Sequence, residues 1–313
     1  MKASVVIIDY KRKKYILDAL QSIKNQKGID LNDIEVIVVK YYQDEKIDNY
    51  IKENFPNHKI INLDPNDPDH YVGRTFSEGI KAASNNLIFL LEDDDMFTEN
   101  KISRIFEIVK KIKNYDEYLI IHKFIVTDES LKKLEYIERK DGSVVLNINN
   151  RIITLKYNNS SIILHVKDKN KLIDYLRKIC YVADQALVCY FNKRIIKIDE
   201  PLTYYRRHEE NVSGSKFDRK KLELELQDYQ HIYEKTKCKN QIDGIIIYKI
   251  RLNILYNANY KISLKEYMEY LLLFDKSYIR RLLRIILYKL FKNYLKRRYM
   301  GKIYITDLNI QNT

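Results

Sequence analysis

Four short runs of almost unbroken aliphatic residues do most to fix what this chain can fold into: Ser4–Ile8 (SVVII), Ile34–Val39 (IEVIVV), Ile60–Leu63 (IINL) and Leu87–Leu91 (LIFLL). A strand that is apolar on both faces belongs in a parallel sheet covered on both sides. The segments between the runs have a different period. Lys13–Lys27 places Ile16, Leu17, Leu20 and Ile23 at helical spacing, and Ile47–Phe55 and Gly79–Ala83 also read as helix. Asp64-Pro65-Asn66-Asp67-Pro68 ends the third run with a strong turn signal. Lys101–Lys113 is a further helical stretch. Strands alternating with helices at these spacings predict right-handed βαβ units. The expected class is therefore α/β, a mostly parallel sheet flanked by helices. Ligands of such sheets bind beyond the carboxyl ends of the strands. The positions to inspect are Asp9-Tyr10, Lys40-Tyr41 and Glu92–Asp95.

The texture changes further along. Tyr118–Val126, Val144–Ile148, Ile152–Leu155 and Ser161–His165 read as shorter strands of a smaller mixed region. Lys171–Lys178 and Ala186–Phe191 read as helices, and Ile195–Ile198 as a strand ending before Glu200-Pro201. Beyond Gly214 the pattern is helical, over 217–235, 242–256, 264–274 and 279–298. The expected organisation is an α/β part, 1–214, and a helical appendage, 215–313.

Only 7 Gly and 4 Pro in 313 residues argue against a loop-rich or disordered chain. Cys180, Cys189 and Cys238 form no CxxC pair and no metal-ligand spacing; an odd, sparse set reads as reduced and intracellular. The opening MKASVVIIDY is too short for a signal peptide or a membrane span, so the expected location is the cytoplasm. The net charge of +13 is concentrated. Lys276–Lys302 holds ten Lys/Arg and no acid, and removing those ten charges leaves +3. That concentration argues against nucleic-acid binding by the whole chain. Within the segment, Ile279, Leu282, Leu283, Ile286, Leu287, Leu290, Phe291 and Tyr294 share one helical face, with Arg281, Arg284, Lys292 and Lys296 off it. This basic amphipathic pattern suits peripheral contact with an anionic membrane, at the inner face of the cell membrane. It equally suits a helix packed on the α/β part with its basic face in water.

Glu92-Asp93-Asp94-Asp95 places four carboxylates directly after a buried strand. Like charges so close raise one another's pKa unless a cation neutralises them. A hard ion such as Mg²⁺ or Mn²⁺ takes oxygen ligands and bridges to phosphate oxygens. The plain alternative is a solvated acidic turn, with Asp95 or Thr98 capping the next helix. The location at a strand's carboxyl end favours the cation.

Here the chain resembles a known family. Ser4–Arg12 (SVVIIDYKR), the helix residues Gly79–Ala83, and Asn86–Asp95 ending in the acidic run resemble, in order, the opening strand, the Asn-x-Gly helix and the Asp-x-Asp segment of family 2 glycosyltransferases. Asp184-Gln185-Ala186-Leu187 resembles the Glu-Asp-x-x-Leu segment, and Glu200–Ser213 the segment in which Arg and His precede Asn and Ser. The resemblance covers roughly residues 4 to 214. It implies a GT-A-like fold, with a nucleotide-binding part, 1–115, and an acceptor part, 116–214. The implied reaction is inverting transfer of a sugar from a nucleotide-diphosphate sugar to a glycan, lipid-linked or protein-linked acceptor. By that match Glu92, Asp94 and Asp95 hold a divalent metal, Mn or Mg, and Asp184 is the general base. Asp9, Tyr10, Tyr41, Arg74, Asp93 and His208 bind the donor nucleotide.

The chain also departs from the family pattern. Lys40-Tyr41-Tyr42-Gln43 stands where the family has Asp-Asp-Gly-Ser at the end of the second strand, which leaves Tyr41 to stack on the base or Asp44 to reach it. Asp9 replaces a Thr, and Arg74 stands in for the Arg that precedes the helix glycine. Two rivals follow. Nucleotidyl transfer would want a Gly-rich phosphate loop after the first strand, and Asp9–Arg12 is not one. A non-catalytic relative acting as a membrane-associated scaffold is the other.

Overall fold

In a computed structural model, residues 1–9, 14–67, 71–113, 115–139, 142–148, 151–209, 211 and 218–271 are described. The chain divides into two compact units, Met1–Asn211 and Val212–Thr313.

The first unit follows the predicted alternation. Its elements run β1 (Ala3–Asp9), α1 (Ile16–Lys24), β2 (Ile34–Lys40), α2 (Glu45–Asn54), β3 (Asn57–Asn62), α3 (Val72–Ala82) and β4 (Leu87–Glu92). Strands β1 and β2 are buried along their whole length, which is why their sequences lack alternation. β3 is only half-buried and correspondingly more polar, because it is the edge strand. β1 pairs in parallel with β2 on one side and β4 on the other. The strand order therefore reverses at β1, and the cleft beyond the ends of β1 and β4 is a topological switch point.

The later strands differ from expectation. β5 (Met96–Phe97), α4 (Lys101–Val109), β6 (Tyr118–Thr127), β7 (Ile137–Glu138), β8 (Val144–Ile148), β9 (Arg151–Leu155), β10 (Ile162–His165), α5 (Lys169–Leu176), α6 (Ala183–Phe191) and β11 (Ile195–Arg206) follow. Two of the four strands predicted for the smaller region, β6 and β10, join the main sheet, in the order β3-β2-β1-β4-β10-β6-β11-β5, while β7, β8 and β9 form a sheet of their own. β10 enters antiparallel between β4 and β6. β11 runs straight through Pro201, with register shifts between Ile198 and Pro201 and between Pro201 and Tyr204. A bulge is where a strand tolerates proline, since no ladder N–H is then missing. Cys180 is a buried thiol.

Helices cover both faces. Ile16, Leu20 and Ile23 of α1, Ile47 and Ile51 of α2 and Ile102 and Ile105 of α4 share a core with Val5, Ile7, Val36, Val38 and Phe89. On the other face α3 lies so close that a Cβ on Gly79 would sit 2.2 Å from Val6 Cγ1. That approach explains a residue that costs a helix interior about 1 kcal/mol relative to Ala.

At the opposite end of the sheet from the strand tips, Glu35 ties the α3–β4 connection to the strands. Ser4 Oγ (2.5 Å), Ser84 N (2.8 Å) and Ser84 Oγ (2.8 Å) donate to its carboxylate, and Lys59 Nζ pairs with it at 2.7 Å. Burial pushes this carboxyl up, but the bonds from Lys59, Ser4 and Ser84 outweigh burial and hold it at about 2.

In the second unit α7 (Arg219–Thr236), α8 (Gln241–Leu255) and α9 (Leu264–Leu271) match three of the four predicted helices. Asp218 caps α7 by accepting from Lys221 N at 2.8 Å. The fourth predicted helix, 279–298, lies outside the described residues. Among the described residues no helix is long and apolar enough to cross a membrane.

The Glu35 carboxylate sets an acid limb. Its stabilising effect is complete above the unfolded-chain value of about 4.3 and is lost as pH falls through its folded value of about 2. Glu35→Gln is expected to lower stability at pH 7 by about 1–3 kcal/mol and to flatten the urea-midpoint profile between those pH values. An unchanged acid limb in the variant would show that Glu35 is not its source.

Candidate active site

The acidic run begins on the last residue of β4. Ile8 of β1 lies beside Glu92 in register, and Asp93 N donates to Ile8 O at 3.0 Å, extending the ladder by one bond. Asp9, fully buried at the end of β1, accepts a hydrogen bond from the Tyr42 hydroxyl. The chain then turns through Asp94 and Asp95 into β5, which pairs antiparallel with β11 at Met96 and Phe97. That pairing brings the far end of β11 back to the cluster. Arg206 N donates to Asp95 Oδ1 at 3.0 Å, and His208 Nε2 stands 2.9 Å from Asp94 Oδ2. Protonated on Nε2, the imidazole donates to Asp94. Asn211 Nδ2 then serves Asp94 Oδ2 (3.3 Å) and Arg206 O (3.2 Å), while Asn211 Oδ1 accepts from His208 N at 2.8 Å.

One carboxylate oxygen from each of Glu92, Asp94 and Asp95 lies within 4.8 Å of the others. Burial, and after it the charge of Asp94, pushes the Asp95 carboxyl up to about 7, against the bonds it accepts from Ser160, Asn158 and Arg206 N. An all-oxygen donor set with negative charge to spare fits a hard divalent cation rather than a soft one. Asp95 does not cap the next helix; α4 starts behind Asn100, with no side-chain cap bond.

The remaining predicted residues are placed as follows. Asp184 is the second residue of α6 and accepts from Gln185 N at 2.8 Å. Burial pushes its carboxyl up to about 6. The segment leading into α6 is fastened to the start of α3. Val72 N donates to Cys180 O at 2.9 Å, and the rings of Tyr71 and Tyr181 meet at 5.9 Å. Since α3 begins where β3 has ended, Asp184 lies at the carboxyl end of the sheet, as the cluster does. Arg74, in the first turn of α3, pairs with Asp67 at 2.7 Å. Tyr41 is buried, and its hydroxyl lies 3.0 Å from Thr75 Oγ1 of α3. Asp44 caps α2 by accepting from Ile47 N at 3.2 Å. Tyr10 lies outside the described residues. Lys40 is fully buried and paired with Asp48 at 3.1 Å. The Arg206 guanidinium, buried too, is bonded to Asp18 at 2.8 Å and lies 4.6 Å over the Tyr15 ring, which meets His208 at 4.9 Å.

Sequence reasoning missed a third wall. Asn158 Nδ2 donates to Asp95 Oδ2 at 2.9 Å, Asn159 Nδ2 to Glu92 Oε1 at 3.4 Å, and Ser160 Oγ accepts from Glu92 N at 2.9 Å. All three residues are buried. In sequence they are an ordinary polar turn before a strand; only their burial marks them.

Comparison with known proteins gives the chain a family and a fold. The family model described as Glycosyl transferase family 2 matches residues 4–165, just over half of the chain. A Bacillus subtilis (strain 168) protein named "Uncharacterized glycosyltransferase YwdF" is 33% identical over 118 residues, which is 37% of this chain and 40% of that relative. The match thus spans about two fifths of that curated relative's length. Among solved structures, S. aureus TarS 1–349 in complex with UDP-GlcNAc aligns with a TM-score of 0.55 at 16% identity, over 92% of this chain and 81% of that one. TarS 1–349 alone gives 0.53 at 15% identity, over 87% and 78%. At that identity the likeness is one of fold, GT-A with a helical C-terminal region.

A cation on these carboxylates would bind the native state alone. Mn²⁺ at 100 times its dissociation constant is then expected to add about 2.7 kcal/mol, seen as a rise in melting temperature that EDTA reverses and Asp94→Asn largely removes. No rise with Mn²⁺ or Mg²⁺ would overturn the cation site.

Proposed function

The chain belongs to glycosyl transferase family 2, and on that footing we propose that it transfers a sugar from a nucleotide-diphosphate sugar to an acceptor hydroxyl with inversion. The observation that carries this is the convergence of Glu92, Asp94, Asp95 and His208 at the switch point of the sheet. The structurally similar TarS, solved with UDP-GlcNAc and with UDP, supports a nucleotide-sugar donor.

A bound Mn²⁺ or Mg²⁺ would neutralise the departing diphosphate. The chain's own residues do the rest. Glu92, Asp94 and Asp95 would hold the ion, and the His208 hydrogen bond orients Asp94. On this reading Asp93 and Asp9, at the ends of β4 and β1, and Arg74, at the head of α3, would bind the donor nucleotide. Asp184 takes the proton from the acceptor hydroxyl as its oxygen bonds to the anomeric carbon. The bond from that carbon to the diphosphate breaks on the opposite face, and its electron pair leaves with the diphosphate. A base with a pKa near 6 is ionised at neutral pH yet still basic enough to accept a proton.

The acceptor is a glycan, a lipid-linked sugar or a protein. The basic, amphipathic sequence between Lys276 and Lys302 favours work at an anionic membrane surface on the inner face of the cell membrane. Deleting 276–313 is then expected to weaken sedimentation with anionic vesicles and to leave neutral vesicles unaffected. Equal binding before and after deletion would remove the membrane from the reading.

Asp184→Asn is expected to lower kcat for transfer by about 10²–10⁴ with little change in donor binding. In the wild type, kcat/KM should fall tenfold per pH unit below about 6, as the base becomes protonated. Near-normal transfer by the variant would place the base elsewhere.

A further inference from the structure

Among the described residues, the buried side chains of Arg206 and Lys101 lie against the acidic cluster, and their bonds go to other groups. Arg206 reaches Asp18. Lys101, the first residue of α4 and fully buried, points its Nζ at Ser160 O (2.6 Å) and Thr203 Oγ1 (3.0 Å), 3.7 Å over the Phe97 ring. Thr203 Oγ1 donates to the same Ser160 carbonyl at 2.9 Å. Ser160 is thereby held from beneath by two donors, while its own hydroxyl holds Glu92 N. The two residues before it carry their amides to Asp95 and Glu92.

The donors on this wall are thus uncharged. An amide N–H fixes the position of a carboxylate oxygen but leaves its negative charge in place, whereas an ammonium or guanidinium would cancel it. The wall is also not arranged for stability alone. Asn158 Oδ1 and Asn159 Oδ1 are buried without a hydrogen-bond partner, a condition that costs about 1–3 kcal/mol per group. Leu or Ser at these positions would avoid that cost. An Asn that leaves its oxygen unsatisfied so as to aim its nitrogen at a carboxylate is there for the carboxylate.

We propose that the Asn158-Asn159-Ser160 turn, pinned through the Ser160 carbonyl by Lys101 and Thr203, is a positioning element that sets the spacing of Glu92 and Asp95 and thereby the affinity for the divalent cation. It acts through the carboxylates and touches neither donor nor acceptor. The inference rests on the cation reading of the cluster. Partners of this kind, one shell out from a metal, change its affinity by about 10–100-fold when removed.

The test uses the full chain and measures Mn²⁺ binding directly, by calorimetry without donor and by the Mn²⁺ dependence of transfer. Asn158→Ala and Asn159→Ala are each expected to weaken Mn²⁺ binding about tenfold or more, to raise the Mn²⁺ requirement of transfer by the same factor, and to lower kcat at saturating Mn²⁺ far less. Lys101→Met should act in the same direction, although it touches no carboxylate. If that variant does not fold, Thr203→Val, which removes one of the two donors to Ser160 O, takes its place. Melting temperature in EDTA reports folding separately from metal binding. Asp94→Asn is the control. If it abolishes Mn²⁺ binding while folded Asn158→Ala and Asn159→Ala bind as the wild type does, the turn has no positioning role and the cation reading stands. If Asp94→Asn binds Mn²⁺ normally, the cation reading fails and this inference with it.

Discussion

The crowding of four carboxylates at one strand end is the constraint around which the first unit is arranged. Repulsion in a buried setting would spread Glu92, Asp94 and Asp95 apart or protonate one of them, and Asp95, raised to about 7, shows that pressure. The fold opposes it from three directions. β1 holds the strand end through Ile8 O and Asp93 N. The end of β11 delivers a main-chain N–H to Asp95 and His208 to Asp94. The turn before β10 supplies two amides. Remove any one and the carboxylates have room to separate, so the sheet order is itself a statement about the site. β10 lies beside β4, and β5 folds back on β11, because both must present short polar segments to the same few atoms.

What could be read from the sequence follows from how local each signal is. β1, β2 and β4 announce themselves because a strand buried on both faces needs no partner information to be recognised. The acidic run needs only its place after β4. The second half of the unit is harder, because its strands owe their position to pairing. Ile162–Leu164 is as apolar as the early strands, but nothing local says that it enters antiparallel beside β4. Met96-Phe97 is two residues long and is a strand only because Thr203 and Tyr204 lie opposite. Pro201 looked like the end of β11 because the bulge that accommodates it exists only in the pairing with β6.

The site divides the same way. Glu92, Asp94, Asp95 and His208 stand out in the sequence by type and order, and the fold brings them together. The direction of Tyr41 has no such local signal, since whether an aromatic residue at a strand end faces a cleft or the core depends on the helix above it; here Thr75 of α3 takes its hydroxyl. Its neighbour Tyr42, which reaches Asp9, is the one that turns toward the strand ends. Arg206 divides its groups: its guanidinium, stacked over Tyr15 and bonded to Asp18, serves the scaffold, while its main-chain N–H serves Asp95. Asn158 and Asn159 could not be read at all, because a polar pair before a strand is normally solvated.

Burial acts on two carboxylates of this unit with opposite consequences, and the contrast separates their roles. Asp184 is raised to about 6 by burial, with only main-chain N–H groups opposing it. No charge is needed to complete it; a carboxylate left slightly too basic is what proton abstraction from a hydroxyl requires. Asp95 is raised to about 7 by burial together with Asp94, despite three hydrogen bonds that stabilise its ionised form. Among the described residues, the buried side chains of Lys101 and Arg206 are bonded to Ser160, Thr203 and Asp18 rather than to this carboxylate. On the proposed reading the charge that completes the cluster is the metal ion's, whereas the charge state Asp184 needs is already built in.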